Sequence, residues 1–225
     1  IRVTSVTGVQ TCALPILTIT DTKTNKMKKW LIPLIVIGVI IFALANWYIG
    51  TNNTLVDMKG QATKQWANVE SSYQRRSDLI GNLVKTVQGA ADFERGTLTD
   101  VIEARAKATN TTIDINSITP EKLAEFQQAQ TGLSSALSRL LVTVERYPDL
   151  KANQNFLELQ SQLEGTENRI NVERNRFNDL AGEYNIKIEK IPTNIIANLA
   201  NFDALALFSS KPGAEDAPDV NFEFN

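Results

Sequence analysis

Trp66-Ala67-Asn68-Val69-Glu70-Ser71-Ser72-Tyr73-Gln74-Arg75-Arg76-Ser77-Asp78-Leu79-Ile80-Gly81-Asn82-Leu83-Val84-Lys85-Thr86-Val87 is the stretch on which the fold turns. Within it Trp66, Val69, Tyr73, Arg76, Ile80, Leu83 and Val87 are separated by alternating steps of three and four, the period of a helix packed in a bundle. One member of that stripe is an arginine. A guanidinium on an apolar stripe must be paired and hydrogen-bonded once it is buried, and Glu145, Glu167 and Glu173, on later helices, are the acids able to meet Arg76 across a bundle. The first reading of such a set is an interhelical ion pair that holds register; a ligand-binding arginine is the alternative. Arg75 and Asp78 beside it read as solvated.

Working outward, Gly89 and Asp92 mark a break, and Phe93, Leu98, Val101, Ile102 and Ala108 carry a second, shorter helix. Asn110 to Ser117, rich in Asn and Thr, reads as a loop. Thr119-Pro120-Glu121 is a helix start, with a Thr cap, proline at the first position and an acid in the first turn. The third stripe is Leu123, Phe126, Gln130, Leu133, Leu137, Leu140, Val144 and Tyr147, ending before Pro148. A fourth, long helix carries Phe156, Leu159, Leu163, Ile170, Phe177, Leu180 and Tyr184 and stops by Pro192, with a short helix at Thr193–Ala200 folded back on one end. Tyr147-Pro148-Asp149-Leu150 reads as a rigid turn, and Tyr184-Asn185 as a pin at the end of the last long helix. No run alternates with period two for long enough to demand a sheet, so the fold class is all-α, an elongated antiparallel bundle of about four long helices.

Upstream, no charge occurs from Trp30 to Val56, and the run from Leu31 to Ala45, extended by Trp47, Tyr48 and Ile49, reaches the length of about 20 residues that spans a bilayer. Trp30 and Trp47-Tyr48 suit the two interfacial belts. Pro33 is expected in the first helical turn, where its missing N–H costs least. Lys28 and Lys29 precede the span and no cation follows until Lys59, which places the N-terminus in the cytoplasm and the bundle outside. A cleaved leader ending at Ala43-Leu44-Ala45 has the same layout, but the apolar character continues through Ile49, as suits an anchor. Continuity of this helix with the Trp66 stripe, through Leu55 and Met58, is expected, although Gly60 weakens it.

The first residues read as foreign. Val6 to Ile16 has no structural period and resembles the in-frame translation of a sequencing-adapter oligonucleotide, so residues 1–26 are set aside as a non-native extension and Met27 is taken as the start. Cys12, the single cysteine among 225 residues, goes with it. The expected organisation is therefore an anchor at 27–50, a helical bundle at 51–208 and a flexible acidic tail at 209–225. The end of that tail, Val220-Asn221-Phe222-Glu223-Phe224, alternates apolar and polar residues and suits either a frayed terminus or a strand added to an exposed sheet edge.

Composition narrows the function. There is no histidine, which removes the commonest general base, the commonest metal ligand and every Ser-His or Cys-His pair. Lysine and arginine total 23 against 25 acids, and from Thr51 onward 18 basic side chains face 24 acidic ones; no positive field exists to hold nucleic acid. Glu103, Glu164, Glu167 and Glu173 suggest a carboxylate metal site, but the di-iron bundles need Glu-x-x-His. Glutamates set among Arg169, Arg174 and Arg176 read as a charged face.

The chain resembles the LemA family of bacterial membrane proteins in the order of its features. They are an N-terminal anchor, Gln74-Arg75-Arg76-Ser77-Asp78-Leu79-Ile80-Gly81-Asn82-Leu83-Val84, Glu145-Arg146-Tyr147-Pro148-Asp149-Leu150, Glu167-Asn168-Arg169-Ile170, Phe177-Asn178, Tyr184-Asn185 and Ile191-Pro192-Thr193-Asn194. Gly81 stands where the family usually has proline, and Phe177 where it often has tyrosine. The resemblance implies a membrane-anchored antiparallel bundle with no established catalytic residues, cofactor or metal. It also implies a scaffold or adaptor role in building bacterial membranes, beside an envelope or membrane protein such as a membrane protease, or beside a second copy. For this family the opposite topology, with the bundle cytoplasmic, has also been proposed.

Two other classes remain in view. A sensor domain would bind a small ligand between its helices and relay through a partner. An enzyme of paired carboxylates, acting on envelope glycans, would need two acids lining one open cleft.

Overall fold

The computed structural model describes residues 24–89, 94–111, 113–115 and 118–209. The adapter-like segment, Cys12, Asp92, Phe93 and the tail from 210 onward, including Val220–Phe224, lie outside the described residues. The elements are α1 Thr24–Gln88, α2 Arg95–Asn110, α3 Pro120–Val144, the one-turn α4 Pro148–Lys151, α5 Gln154–Glu189 and α6 Thr193–Leu199, with no strand among the described residues.

The chain divides into two compact units, residues 1–47 and 48–225. The described part of the first is the N-terminal portion of α1. Its apolar window has a mean hydropathy of 2.3 over 18 residues, and none of that window is buried against protein, so this is not the core helix of a soluble domain. Pro33 lies inside the helix, not in its first turn, because α1 already begins at Thr24. Its ring removes one backbone bond there, a loss that helices in membranes tolerate.

In the second unit the stripes meet as two buried clusters. One joins Trp66, Val69 and Tyr73 of α1 to Leu123 and Phe126 of α3 and to Ile170, Phe177 and Tyr184 of α5. The other joins Ile80, Leu83 and Val87 to Leu98 and Val101 of α2, Leu133 and Leu140 of α3, and Phe156 and Leu163 of α5. Residue numbers rise from the first cluster to the second along α1 and α3 and fall along α5, so α1 and α3 run one way and α5 the other. Ala108 of α2 lies in the second cluster and Ile113 in the first, so α2 also runs antiparallel to α1.

Local chemistry sets the ends. Thr119 Oγ1 accepts from Lys122 N at 3.3 Å, with Pro120 at the first position and Glu121 in the first turn of α3. Asn153 Oδ1 caps α5 by accepting from Asn155 N at 2.9 Å and Phe156 N at 3.2 Å. Asn201 closes α6 at φ 55°, the left-handed region that asparagine tolerates. Phe202 N then donates to Ala197 O at 2.9 Å, the long return bond of a Schellman ending.

One expectation for α2 is corrected: Ile102 is exposed, not part of its apolar face. The Asn/Thr-rich segment after α2 joins it to α3 as a loop, as expected, and Ile113, Ile115 and Ile118 around it are buried in the first cluster. Three isoleucines spread over six residues carry no helical period, so their burial follows from chain direction and not from pattern.

Gly81 does not interrupt α1. A side chain there would begin 3.3 Å from the Arg105 guanidinium, whose Nε donates to Ser77 O at 2.7 Å. The absent Cβ thus gives Arg105 of α2 close approach to α1, which proline would obstruct.

Candidate functional site

Between the two apolar clusters lies a polar layer, and Arg76 is its centre. The α1 stripe delivers this residue to the interior, where its side chain is 5% exposed. Arg76 Nη1 donates to Glu167 Oε2 of α5 at 2.9 Å and to Ser134 Oγ of α3 at 3.3 Å. Its Nη2 donates to Gln130 Oε1 of α3. The guanidinium carbon stands 5.0 Å from the centroid of the Tyr73 ring, one turn away on α1. Gln130 Nε2 in turn donates to Ala108 O at 3.4 Å, near the end of α2, and Ser77 and Thr109 join α1 to α2 through their hydroxyls at 3.0 Å. All four long helices are therefore tied at one level. Arg76 Nε has no hydrogen-bond partner among the described residues.

Of the three acids considered for Arg76, only Glu167 meets it. Glu145 lies at the C-terminal cap of α3 and pairs with Lys151. It stands eleven residues beyond Ser134, or roughly 16 Å along a helix, which is out of reach. Glu173 follows Glu167 by six residues, about 9 Å along α5. There it accepts from Gln65 Nε2 at 2.6 Å and pairs with Arg176 at 3.5 Å. Glu103 and Glu164 are exposed, and no group of three acids or cysteines with metal-binding geometry occurs among the described residues. Arg75 and Asp78 are exposed.

The residues expected to be architectural hold the end of the chain. Tyr147 precedes α4, where Pro148 takes the first position and Leu150 is buried, so the turn is a helical one. Pro192 follows a cis peptide bond and precedes α6. Tyr184 and Asn185 do more than pin a helix end, since they grip an extended strap formed by residues 202–209. Tyr184 Oη donates to Asp203 O at 3.0 Å. Asn185 donates to Leu205 O and accepts from Leu205 N, both at 2.8 Å. Asn178 does the same for Phe208, at 2.8 and 2.9 Å.

The spacing has a simple cause. Seven residues of helix advance about 10.5 Å, and three residues of extended chain advance about 10 Å. Asn178 and Asn185 on one helical face therefore fall in register with Phe208 and Leu205. The strap ends on Arg174, which covers the Phe208 ring at 4.5 Å from its centroid and donates to Ser209 O at 3.5 Å; Ser209 is thus held, although the tail was expected to begin there. Phe208 stacks on Trp66 at 5.6 Å and meets Phe177 edge-on at 5.8 Å.

This clasp makes two predictions. Asn185→Ala removes both bonds to Leu205 and is expected to destabilise the bundle by about 1–2 kcal/mol; hydrogen exchange should show the Leu205 and Phe208 amides losing protection before those of α3. Burial, and secondarily Asp203, push the Tyr184 hydroxyl up to about 12 from an ordinary 10.0. The folded state then holds a proton that the unfolded state releases, so stability is intact below pH 10 and falls as pH rises from 10 towards 12. Denaturation of the detergent-solubilised chain at pH 9 and pH 11 should show that fall, and Tyr184→Phe should flatten it.

Two clefts border the arginine layer. One, of about 310 Å³, lies among α1, α2 and α3 and includes Tyr73, Ser77, Thr109 and Gln130. The other, of about 320 Å³, includes Arg76, Leu137, Leu141, Gln160 and two acids, Glu164 and Glu167. Of these two carboxylates, Glu167 is tied to Arg76.

These features define a class: an apolar helix long enough to cross a membrane, and a four-helix bundle registered by a buried arginine and clasped by its own C-terminal segment. The LemA family profile matches residues 65–222, and the chain belongs to that family. It is 28% identical over 185 residues to Magnetosome protein MamQ 2 of Paramagnetospirillum magneticum, covering 75% of this chain and 68% of that one. The figures are the same for Magnetosome protein MamQ of Magnetospirillum gryphiswaldense. Protein LemA of Metamycoplasma hominis is 24% identical over 177 residues, 79% of this chain and 75% of its own. The protein is a membrane-associated member of the LemA family.

Proposed function

We propose that the protein is a non-enzymatic scaffold or adaptor of a bacterial envelope, held in the membrane by the helix from Trp30 to Ile49, with its N-terminus in the cytoplasm and its bundle outside. The observation that carries this reading is the use made of the interior polar groups. Arg76 spends Nη1 and Nη2 on Glu167, Ser134 and Gln130, and Asn178, Tyr184 and Asn185 are spent on the strap. These chemistry-bearing residues join one part of the bundle to another. The names of the MamQ relatives, which are magnetosome proteins, support a role in organising a membrane. The partner is another envelope or membrane protein, a membrane protease among the candidates, or a second copy.

The test is protease accessibility of a C-terminally tagged chain begun at Met27, in intact and permeabilised spheroplasts after membrane fractionation. Digestion in intact spheroplasts, with the protein in the membrane pellet, is expected. Protection until lysis would overturn the topology, and release of a shortened soluble product would overturn the anchor.

A second reading, a ligand-binding domain that works through a partner, draws on the unpartnered Arg76 Nε and the 320 Å³ cleft that Arg76 helps to line. Small carboxylates that raise the melting temperature of the native chain, but not of Arg76→Met, would favour it.

A further inference from the structure

The short helix α6 turns its apolar face outward. It buries Thr193, Ile196 and Ala197 but leaves Ile191, Ile195 and Leu199 exposed by 82%, 62% and 72%. Ile195 and Leu199, four residues apart, share one face of α6, and Ile191 stands exposed just before the helix starts. Scattered single apolar residues are ordinary on a protein surface, whereas an aligned set is a contact surface in search of a partner.

The register of the bundle says where this face lies. Trp66 meets Phe177 and Arg76 meets Glu167, so a step up α1 corresponds to an equal step down α5. Extending the match places Leu55 beside Ile188, both buried in the same cluster, and Asn52 level with Ile191. The chain leaves α5 at Lys190 and is back at Tyr184 by Asp203, so the whole of α6 is confined to this end. Tyr48 and Ile49, the last residues of the apolar run, belong to the same compact unit. Among described residues of this unit, the apolar side chains more than half exposed are Ile49, Val56, Ile186, Ile191, Ile195 and Leu199, all at this end, and Val142. Val142 lies on α3 far beyond Ser134, which is level with Arg76, and so at the opposite end.

We propose that Ile191 and the Ile195 and Leu199 face of α6 lie in the interfacial layer of the bilayer, as a second, shallow lipid contact. The proposal rests on the anchor reading. At the level where the apolar run ends, the medium is the boundary of headgroups and acyl chains, where a helix buries exposed apolar side chains, while Ile196 and Ala197 on the other side of α6 pack into the bundle. Lys187 and Lys190 are accompanied by Glu183 and Glu189 in the same turns of α5, so the attraction is apolar and not a response to anionic lipid.

The test uses the full chain begun at Met27, which has no cysteine, with single nitroxide-labelled cysteines in phosphatidylcholine vesicles. Collision with oxygen, which partitions into lipid, is compared with collision with a water-soluble nickel chelate. I195C and L199C are expected to give an oxygen-to-nickel ratio at least about threefold above that of V142C, as for a shallow interfacial helix. Because all three positions are exposed, the label does not disturb the core. A ratio at I195C equal to that of V142C, while I37C in the span is lipid-like, overturns the inference and leaves the anchor standing. An aqueous I37C overturns the anchor itself. Dipolar broadening at I195C that disappears on dilution with unlabelled chain assigns the face to a second copy and also overturns the proposal.

Discussion

Arg76→Ala is expected to destabilise the bundle by about 2–5 kcal/mol, the range for truncating a long buried side chain. The loss has three parts. Gln130 Oε1, buried on α3, is left without the guanidinium; the bonds to Ser134 and Glu167 vanish; and a cavity opens between two apolar clusters. Glu167→Gln should cost much less, because the Glu167 side chain is 49% exposed and the surrounding water replaces much of what it gives. Denaturant titration of the two variants checks the asymmetry, and equal losses would mean that the pair acts as a fully desolvated unit.

A sharper experiment replaces the layer as a whole. Arg76→Met with Gln130→Leu removes the charge and its main acceptor together, and such exchanges are often neutral or stabilising by about 1–4 kcal/mol. What should be lost is uniqueness. A slide of one helix by a turn against the next would break the bonds of the polar layer, so its removal takes away a penalty against other registers. Doubled or broadened amide resonances from α5, without loss of helicity, are the expected sign; a single sharp set would mean that the strap and the caps hold register unaided.

Trp66→Ala is expected to cost about 3–5 kcal/mol, in the range for truncating a large buried aromatic. Trp66 is fully packed, with Phe126, Phe177 and Phe208 at ring centroids of 6.0, 5.2 and 5.6 Å. These rings come from α3, α5 and the strap, so one deletion loosens three elements. Because Phe208 is the strap's only ring on Trp66, the Phe208 and Leu205 amides should exchange faster in this variant than the α2 amides. Trp66→Phe should be much milder, since it keeps most of the ring area and discards an indole N–H that has no hydrogen-bond partner among the described residues. A near-zero loss for Trp66→Ala would show that the aromatic cluster is not a unit of stability.

The helices were legible because each buries one face against neighbours of the same kind, and a face repeats in sequence every three or four residues. Trp66 through Val87, Leu123 through Val144 and Phe156 through Tyr184 all follow that rule, and the Thr119-Pro120-Glu121 start is a local signal with a local cause. The arginine was legible for the same reason, as a charge in a register reserved for apolar groups. Its acid was not, because Glu145, Glu167 and Glu173 are equivalent until the axial offset between α1 and α5 is known. Ile102 was misjudged because a short helix contacting few neighbours has a narrow apolar face.

By itself, then, the amino-acid sequence determined the long helices, their order, an apolar run long enough to cross a membrane and the residue at the centre of the polar layer, all of which depend on side chains close together along the chain. Only the tertiary structure decided that Glu167 answers Arg76, that Ile113, Ile115 and Ile118 are core, and that residues 202–209 return as a strap on Asn178 and Asn185. The strap has no periodicity of its own; its conformation is set by amide pairs 20 and 30 residues away, and a contact of that kind exists only after the helix that carries those amides has formed.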